Sequence, residues 1–282
     1  MIHFRPTHAS LNKRDNVLAT RYLSLGFAFL GRNVISFLSE TGSSLETLGR
    51  SVRSIVTLRC KWRRSMDQIV HIGVGSIPIV TIATFFVGMV MAVHVSTALA
   101  QFGVSLTVAS IVCASILREL APIFAALLIA GRAGAGITAE LGAMQISGQL
   151  LAMRSLSLSV EDELIAPRFL ATILSLVSIT LLAGISGILG GYIVGIGHLD
   201  IPFATYHGKT LDSLDSLDLY CGLFKSVFFG LVIAIVGCHY GLSARGGASQ
   251  LGINTKRSVV TASFVILVSN FFLTKAFIHL FE

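Results

Sequence analysis

The sequence predicts an all-α polytopic membrane protein that crosses the bilayer five times. An amphipathic interfacial helix precedes the first span, and a short helix lies in the loop between the second and third. Three observations predict this. Of 282 residues, 54% are hydrophobic and only 12% charged, with a mean hydropathy of +0.81; an ordinary soluble domain carries about a quarter charged residues. No Asp, Glu, Lys or Arg occurs between Asp67 and Arg118, and the stretch from Arg168 to Asp200 is nearly as bare. A soluble fold of this size could not cover so much apolar surface. Finally, Lys and Arg alternate between successive loops, as expected of a chain that changes side at every span.

Residues 1–68 form a basic arm. Positions 1–64 hold eleven Lys/Arg against Asp15, Glu40 and Glu46. A membrane chain follows directly, so attraction to anionic headgroups explains the charge better than nucleic acid does. Within the arm, Leu45, Leu48, Val52, Ile55, Val56 and Arg59 fall on helical spacing, with Arg50 and Arg53 on other faces. That is the pattern of a helix lying in the interface. A soluble cap packed on itself is the alternative. The apolar run Tyr22–Leu30 begins late and lacks a small-residue cleavage site, so no cleavable signal is expected.

Residues 69–282 form the membrane domain. About 20 apolar residues cross a hydrocarbon core of roughly 30 Å, which places spans near 69–100, 104–131, 166–197, 221–243 and 258–280. Only Gln101-Phe102-Gly103 separates the first two, so they form a tight hairpin. The third span carries Gly184, Gly187, Gly190, Gly191, Gly195 and Gly197, whose small-xxx-small spacing lets helices approach closely. The loop 132–165 holds Arg132 and Arg154, and the loop 244–257 holds Arg245, Lys256 and Arg257. The loop 198–220 has one Lys against Asp200, Asp212, Asp215 and Asp218. The N-terminus is therefore expected in the cytoplasm and the C-terminus on the far side.

Enzyme chemistry finds little support. There is no GxxxxGK[ST] for ATP, no HExxH, and the four cysteines show no metal or redox spacing. His71, His94 and His239 are widely separated. The sharpest feature is Arg118-Glu119 near the middle of the second span, where a charge costs about 2.5–3.5 kcal/mol on insertion scales. Neighbours on a helix point about 100° apart, so each must meet a partner on another helix or subunit. Either the pair belongs to an ionic network that holds spans together, or it floors a polar substrate cavity. Pro122 removes a backbone donor just beyond and predicts a kink. In the loop, Leu141, Met144 and Leu151 give the stretch Glu140–Met153 an amphipathic pattern suited to a soluble partner or to the bilayer surface.

The run Arg118-Glu-Leu-Ala-Pro-Ile-Phe-Ala-Ala-Leu-Leu-Ile-Ala-Gly-Arg-Ala-Gly-Ala-Gly-Ile-Thr-Ala-Glu-Leu-Gly-Ala-Met144 resembles the signature of MlaE-type permeases, the membrane subunits of lipid ABC transporters that work with MCE-domain proteins. Ser76-Ile-Pro-Ile, Gly88-Met-Val, Ala166-Pro-Arg-Phe-Leu-Ala171, Lys225-Ser-Val-Phe-Phe-Gly230, Thr255-Lys-Arg-Ser-Val-Val260 and Phe272-Leu-Thr274 also fit. The resemblance implies a permease homodimer in a bacterial inner membrane that moves phospholipid between inner and outer membranes. By the same resemblance the permease would bind no cofactor itself: a separate ABC ATPase would bind and hydrolyse ATP and receive a coupling helix near 139–153, through Glu140, Leu141, Met144, Gln149 and Met153. The resemblance further implies an MCE-domain lipid-binding protein on the periplasmic side, often with a small STAS-domain protein on the ATPase. The implied lipid contacts are Met91, His94, Ala98, Leu99 and Phe102, with Arg118 and Glu119 as the intramembrane charged pair. The chain departs from the family pattern at Gly148, Arg154, Ser159 and Val160. Two rival readings are an ion-coupled secondary transporter using Glu119 and a membrane scaffold for soluble partners. The odd number of spans, without an inverted repeat, disfavours the first. The mid-bilayer charges disfavour the second.

Overall fold

A computed structural model describes residues 62–100, 107–198 and 201–281, with helices throughout and no strand among the described residues. The first span is built from α1 (Trp62–Ile72), a 3₁₀ turn (Val74–Ser76) and α2 (Ile77–Ala100). The second joins α3 (Val108–Ser115), α4 (Ala121–Ile129) and α5 (Ala135–Ile146) through π-turns at Ile116–Leu120 and Ala130–Gly134. A short α6 (Gln149–Ser155) and a π-turn (Glu161–Ile165) lead into α7 (Ala166–Gly197). Then come α8 (Phe203–Asp212), α9 (Ser216–Leu242) and α10 (Ala248–Phe281). Five helical runs are long and apolar enough to cross a membrane: Ser65–Ala100, Val108–Ile146, Glu161–Gly197, Ser216–Leu242 and Ala248–Leu280. The chain is thus an all-helical, multi-pass membrane protein. The expected interfacial helix around Leu45–Arg59 and the turn Gln101–Gly103 lie outside the described residues.

These runs are longer than the spans read from sequence. The second continues past residue 131 to Ile146, and the fifth begins at Ala248 rather than near 258. Charged residues mark where a helix leaves hydrocarbon, but its backbone hydrogen bonds do not depend on apolar side chains. The helices therefore run on past the apolar stretches that mark the spans in the sequence. A second correction concerns the expected helix near 139–153. Its first part is the end of the second span, and the helix breaks at Ser147-Gly148, where Gly148 takes a left-handed φ of +76°. Only Gln149–Ser155 forms a separate short helix. The left-handed conformation that ends α5 is costly for any residue with a Cβ.

Packing follows residue size. On α2, Val80, Thr84, Gly88, Ala92 and Ser96 repeat every four residues and are buried, while Ile79, Ile82, Phe86 and Val90 are exposed on other faces. The buried stripe lies against α7. A Cβ at Gly88 would run into the Gly187 carbonyl, and one at Gly190 into the Phe85 carbonyl. Gly184, Gly187, Gly190, Gly191 and Gly195 of the third span thus serve close contact within the chain, as their spacing predicts, whereas Gly197 meets no neighbour. Ser186 Oγ donates across this contact to the Thr81 carbonyl at 2.7 Å. Farther along α7, Gly195 accommodates the ring of Tyr206 from α8, a buried phenol whose pKa is pushed up to about 12, chiefly by burial.

Enlarging the contact at Gly88 should separate α2 from α7. Gly88→Leu is expected to cost about 1–3 kcal/mol or more, read as a lowered thermal midpoint of the purified protein. A Cβ at Gly197 meets nothing within 4 Å, so Gly197→Ala should not lower the midpoint.

Candidate functional site

The site begins with a missing hydrogen. Pro122, in the first turn of α4, has no N–H to offer the carbonyl of Arg118. The chain widens just before it into the π-turn Ile116–Leu120, which carries both Arg118 and Glu119. Lys225, on α9, donates from Nζ to the Arg118 carbonyl at 3.2 Å. The same ammonium donates to Thr274 Oγ1 at 2.8 Å and pairs with Glu119 Oε1 at 2.6 Å. Three partners match the three hydrogens of an ammonium. Lys225 is 1% exposed, so its charge depends on these contacts.

Glu119 is the centre of the cluster. Thr274 Oγ1, from α10, lies 3.0 and 3.2 Å from its two oxygens, and Asn270 Nδ2 donates to Oε2 at 3.3 Å. The Thr274 hydroxyl also lies 2.9 Å from the Asn270 carbonyl, two acceptors for one proton. Asn270 Oδ1 is buried without a hydrogen-bond partner. Arg118 points elsewhere, toward Asp218 Oδ1 in the first turn of α9, at a loose 3.7 Å. The side chain of Arg118 is 36% exposed and that of Glu119 is 29% exposed. The cluster therefore has a buried cationic base and two charged groups that keep part of their surface. It ties the second, fourth and fifth spans together. The Ser226 hydroxyl, one residue past Lys225, lies 2.8 Å from Thr180 Oγ1 on α7 and so links the third.

The expected partners of Arg118 and Glu119 on other helices are thus present. Lys225, Thr274, Asn270 and Asp218 were not among the residues singled out as binding candidates. A lone lysine inside an apolar span is the signal that could have found the first, by the reasoning that found Glu119. The remaining candidates on the first span divide. Met91 and Leu99 are half-buried and pack on the core, whereas His94 and Ala98 are exposed. Phe102 lies outside the described residues.

The expected partner-facing set divides as well. Leu141 is 0% exposed and anchors α5 inside the subunit, so its side chain has no surface to offer a partner. Glu140 pairs with Arg168 at 2.9 Å; the arginine side chain is 3% exposed and the carboxylate 53%. This bond joins the ends of the second and third spans on either side of α6. Met144 and Met153 are half-buried and share a cavity of about 440 Å³ with Leu158 and Pro167. Gln149 is exposed, and so are Leu151 and Leu156.

Comparison with known proteins agrees with this architecture. Residues 65–276 match the family described as Permease MlaE. A probable ABC transporter permease protein of Rickettsia felis is 34% identical over 248 residues, covering 88% of this chain and 96% of its own. One from Synechocystis is 34% identical over 226 residues, covering 80% and 86%. The intermembrane phospholipid transport system permease protein MlaE of Haemophilus influenzae is 30% identical over 246 residues, covering 87% and 94%. The chain belongs to the MlaE permease family, as a membrane-spanning permease subunit of an ABC transporter.

Proposed function

We propose that this permease moves phospholipid between inner and outer membranes, driven by ATP hydrolysis in a separate ATPase. In this reading it sits in the inner membrane with its N-terminus cytoplasmic. It works as a homodimer with an MCE-domain protein on the periplasmic side and, in some assemblies, a STAS-domain protein on the ATPase. The observation that carries the reading is a partly exposed guanidinium and carboxylate, Arg118 and Glu119, in the middle of an apolar span and backed by the buried Lys225. A charge retained at such depth marks a substrate path. The Haemophilus relative's description as a phospholipid transport permease supports the cargo. The fifth span, with 11% of its apolar window buried against 50% in the third and fourth, leaves a face on which the second subunit of the homodimer can pack.

Lipid contact falls to Arg118 and Glu119, with Met91, His94, Ala98, Leu99 and Phe102 as candidates along the first hairpin. The ATPase engages α6 and its surroundings, where Glu140, Gln149, Leu151 and Leu156 are exposed and Met144 and Met153 partly so. Leu141 acts from within by holding α5. The second span is helical from α3 through α5, so a push at α6 reaches the π-turn that bears Arg118. The Glu140–Arg168 bond carries the third span along. Such coupling requires that lipid bind the two conformations differently.

Two measurements follow. In proteoliposomes holding the permease and its ATPase, Glu119→Gln keeps the carboxamide oxygen near Thr274 but removes the charge opposite Lys225. Lipid transfer is expected to fall by about tenfold, equivalent to about 1.4 kcal/mol, with ATP hydrolysis continuing. Transfer at the wild-type rate would sink the reading, and transfer driven by a proton gradient without the ATPase would favour the ion-coupled carrier. Glu140→Gln is expected to lower the lipid moved per ATP. A proportional fall in both rates would make the bond merely structural.

A further inference from the structure

Arg132, a second arginine of the second span, takes no part in the cluster around Glu119. It sits in the π-turn Ala130–Gly134. A rise of 1.5 Å per residue puts it about 20 Å along the axis from Glu119, toward the end of the spans that carries Arg154, Arg245 and Arg257. Half of a hydrocarbon core is about 15 Å, so with Glu119 near mid-membrane Arg132 lies at headgroup depth.

Its guanidinium is held in a seat. Nη1 donates to Ser76 Oγ at 2.8 Å and reaches the Ile72 carbonyl at 3.4 Å. Ser76 is fully buried and directs its own proton to that carbonyl, at 2.8 Å. Gly75 leaves room for the group, because a Cβ there would collide with all three of the terminal guanidinium atoms. Among the described residues no carboxylate pairs with Arg132, whereas Arg118 and Arg168 each have one. The side chain lines a cavity of about 410 Å³ with Gln68 and His71 as further polar groups and Ile72 and Ile137 as an apolar wall. Glu140 also lines the cavity, and its carboxylate is paired with Arg168 at 2.9 Å.

We infer that this cavity binds the phosphate of a phosphodiester headgroup, with Arg132 as its charged donor. The planar guanidinium fork suits two oxygens of one phosphate, and fixing one edge on Ser76 leaves the rest free of an internal counter-ion. Gln68 adds a neutral donor and His71 a second nitrogen ligand. At headgroup depth the source of the phosphate is a lipid of the adjoining leaflet. The site lies about 20 Å from Glu119 and is distinct from the charged cluster there. Its use as a station where lipid waits before moving inward rests on the phospholipid reading above; the binding itself does not.

The test uses the purified full chain in detergent with phosphatidylglycerol added, counting bound lipids by native mass spectrometry. Wild type is expected to retain one more phosphatidylglycerol per chain than Arg132→Gln, and diacylglycerol, which lacks the phosphate, should show no difference. Gly75→Ala keeps the charge but unseats the guanidinium, and should lose the same lipid if Arg132→Gln proves too unstable to purify. Millimolar inorganic phosphate should leave the lipid in place; displacement would assign the same anion site to free phosphate. Equal retention by wild type and a folded Arg132→Gln, or full retention by Gly75→Ala, would overturn the inference. A defect in lipid transfer confined to Glu119→Gln would leave this site standing, so the two readings fail separately.

Discussion

The pairing of Glu119 with Lys225 is the constraint on which the rest of this membrane domain turns. An ammonium that is 1% exposed cannot be left in apolar surroundings without a counter-charge; removing one member of a buried pair costs about 3–5 kcal/mol. Two of the three ligands of Lys225 lie on the second span and the third on the fifth. The fourth span must therefore lie between them at one register. The proline that frees the Arg118 carbonyl and the π-turn that presents Glu119 are the local adjustments that make that register possible. The partial exposure of Glu119 moderates the cost.

Around this centre the chain is stiff in one direction and open in another. Backbone-to-backbone contact between α2 and α7 leaves no slack, since even a methyl group at Gly88 or Gly190 would collide with a carbonyl. The fifth span, by contrast, presents Phe264, Phe271 and Phe272 outward. At the basic end, Arg168 and Glu140 clamp the ends of the second and third spans about the short helix α6. The proposed ATP-driven movement calls for this combination: rigid helices that transmit displacement, and a polar centre that keeps part of its surface.

Much of this was legible in the sequence, for physical reasons that also mark where legibility stopped. The spans were readable because long apolar runs have no other stable fate. Their ends were not, since the backbone of the second span stays helical through Arg132 and Glu140 to Ile146. The need of Glu119 for a partner was readable from its depth. The partner itself depends on how the second, fourth and fifth spans pack, which no local pattern encodes, although Lys225 and Thr274 both lie in segments that resemble the family. The single loop helix failed at Gly148, because glycine is a weak helix former and takes a left-handed φ there. The apolar periodicity had grouped Leu141, which turns inward at the end of the second span, with residues beyond that break.

A double-mutant cycle on Glu119 and Lys225 tests the central pairing most directly. Glu119→Gln, Lys225→Met and the double variant would be compared by thermal or denaturant unfolding in one detergent. If the pair organises the domain, Lys225→Met leaves a carboxylate without its cation and Glu119→Gln leaves a buried ammonium without its anion. The double variant is then more stable than the sum of the two losses implies, by a coupling energy of about 0.5–3 kcal/mol. Strictly additive losses would contradict the pairing and leave Lys225 as a cation held by the Arg118 carbonyl and Thr274 alone.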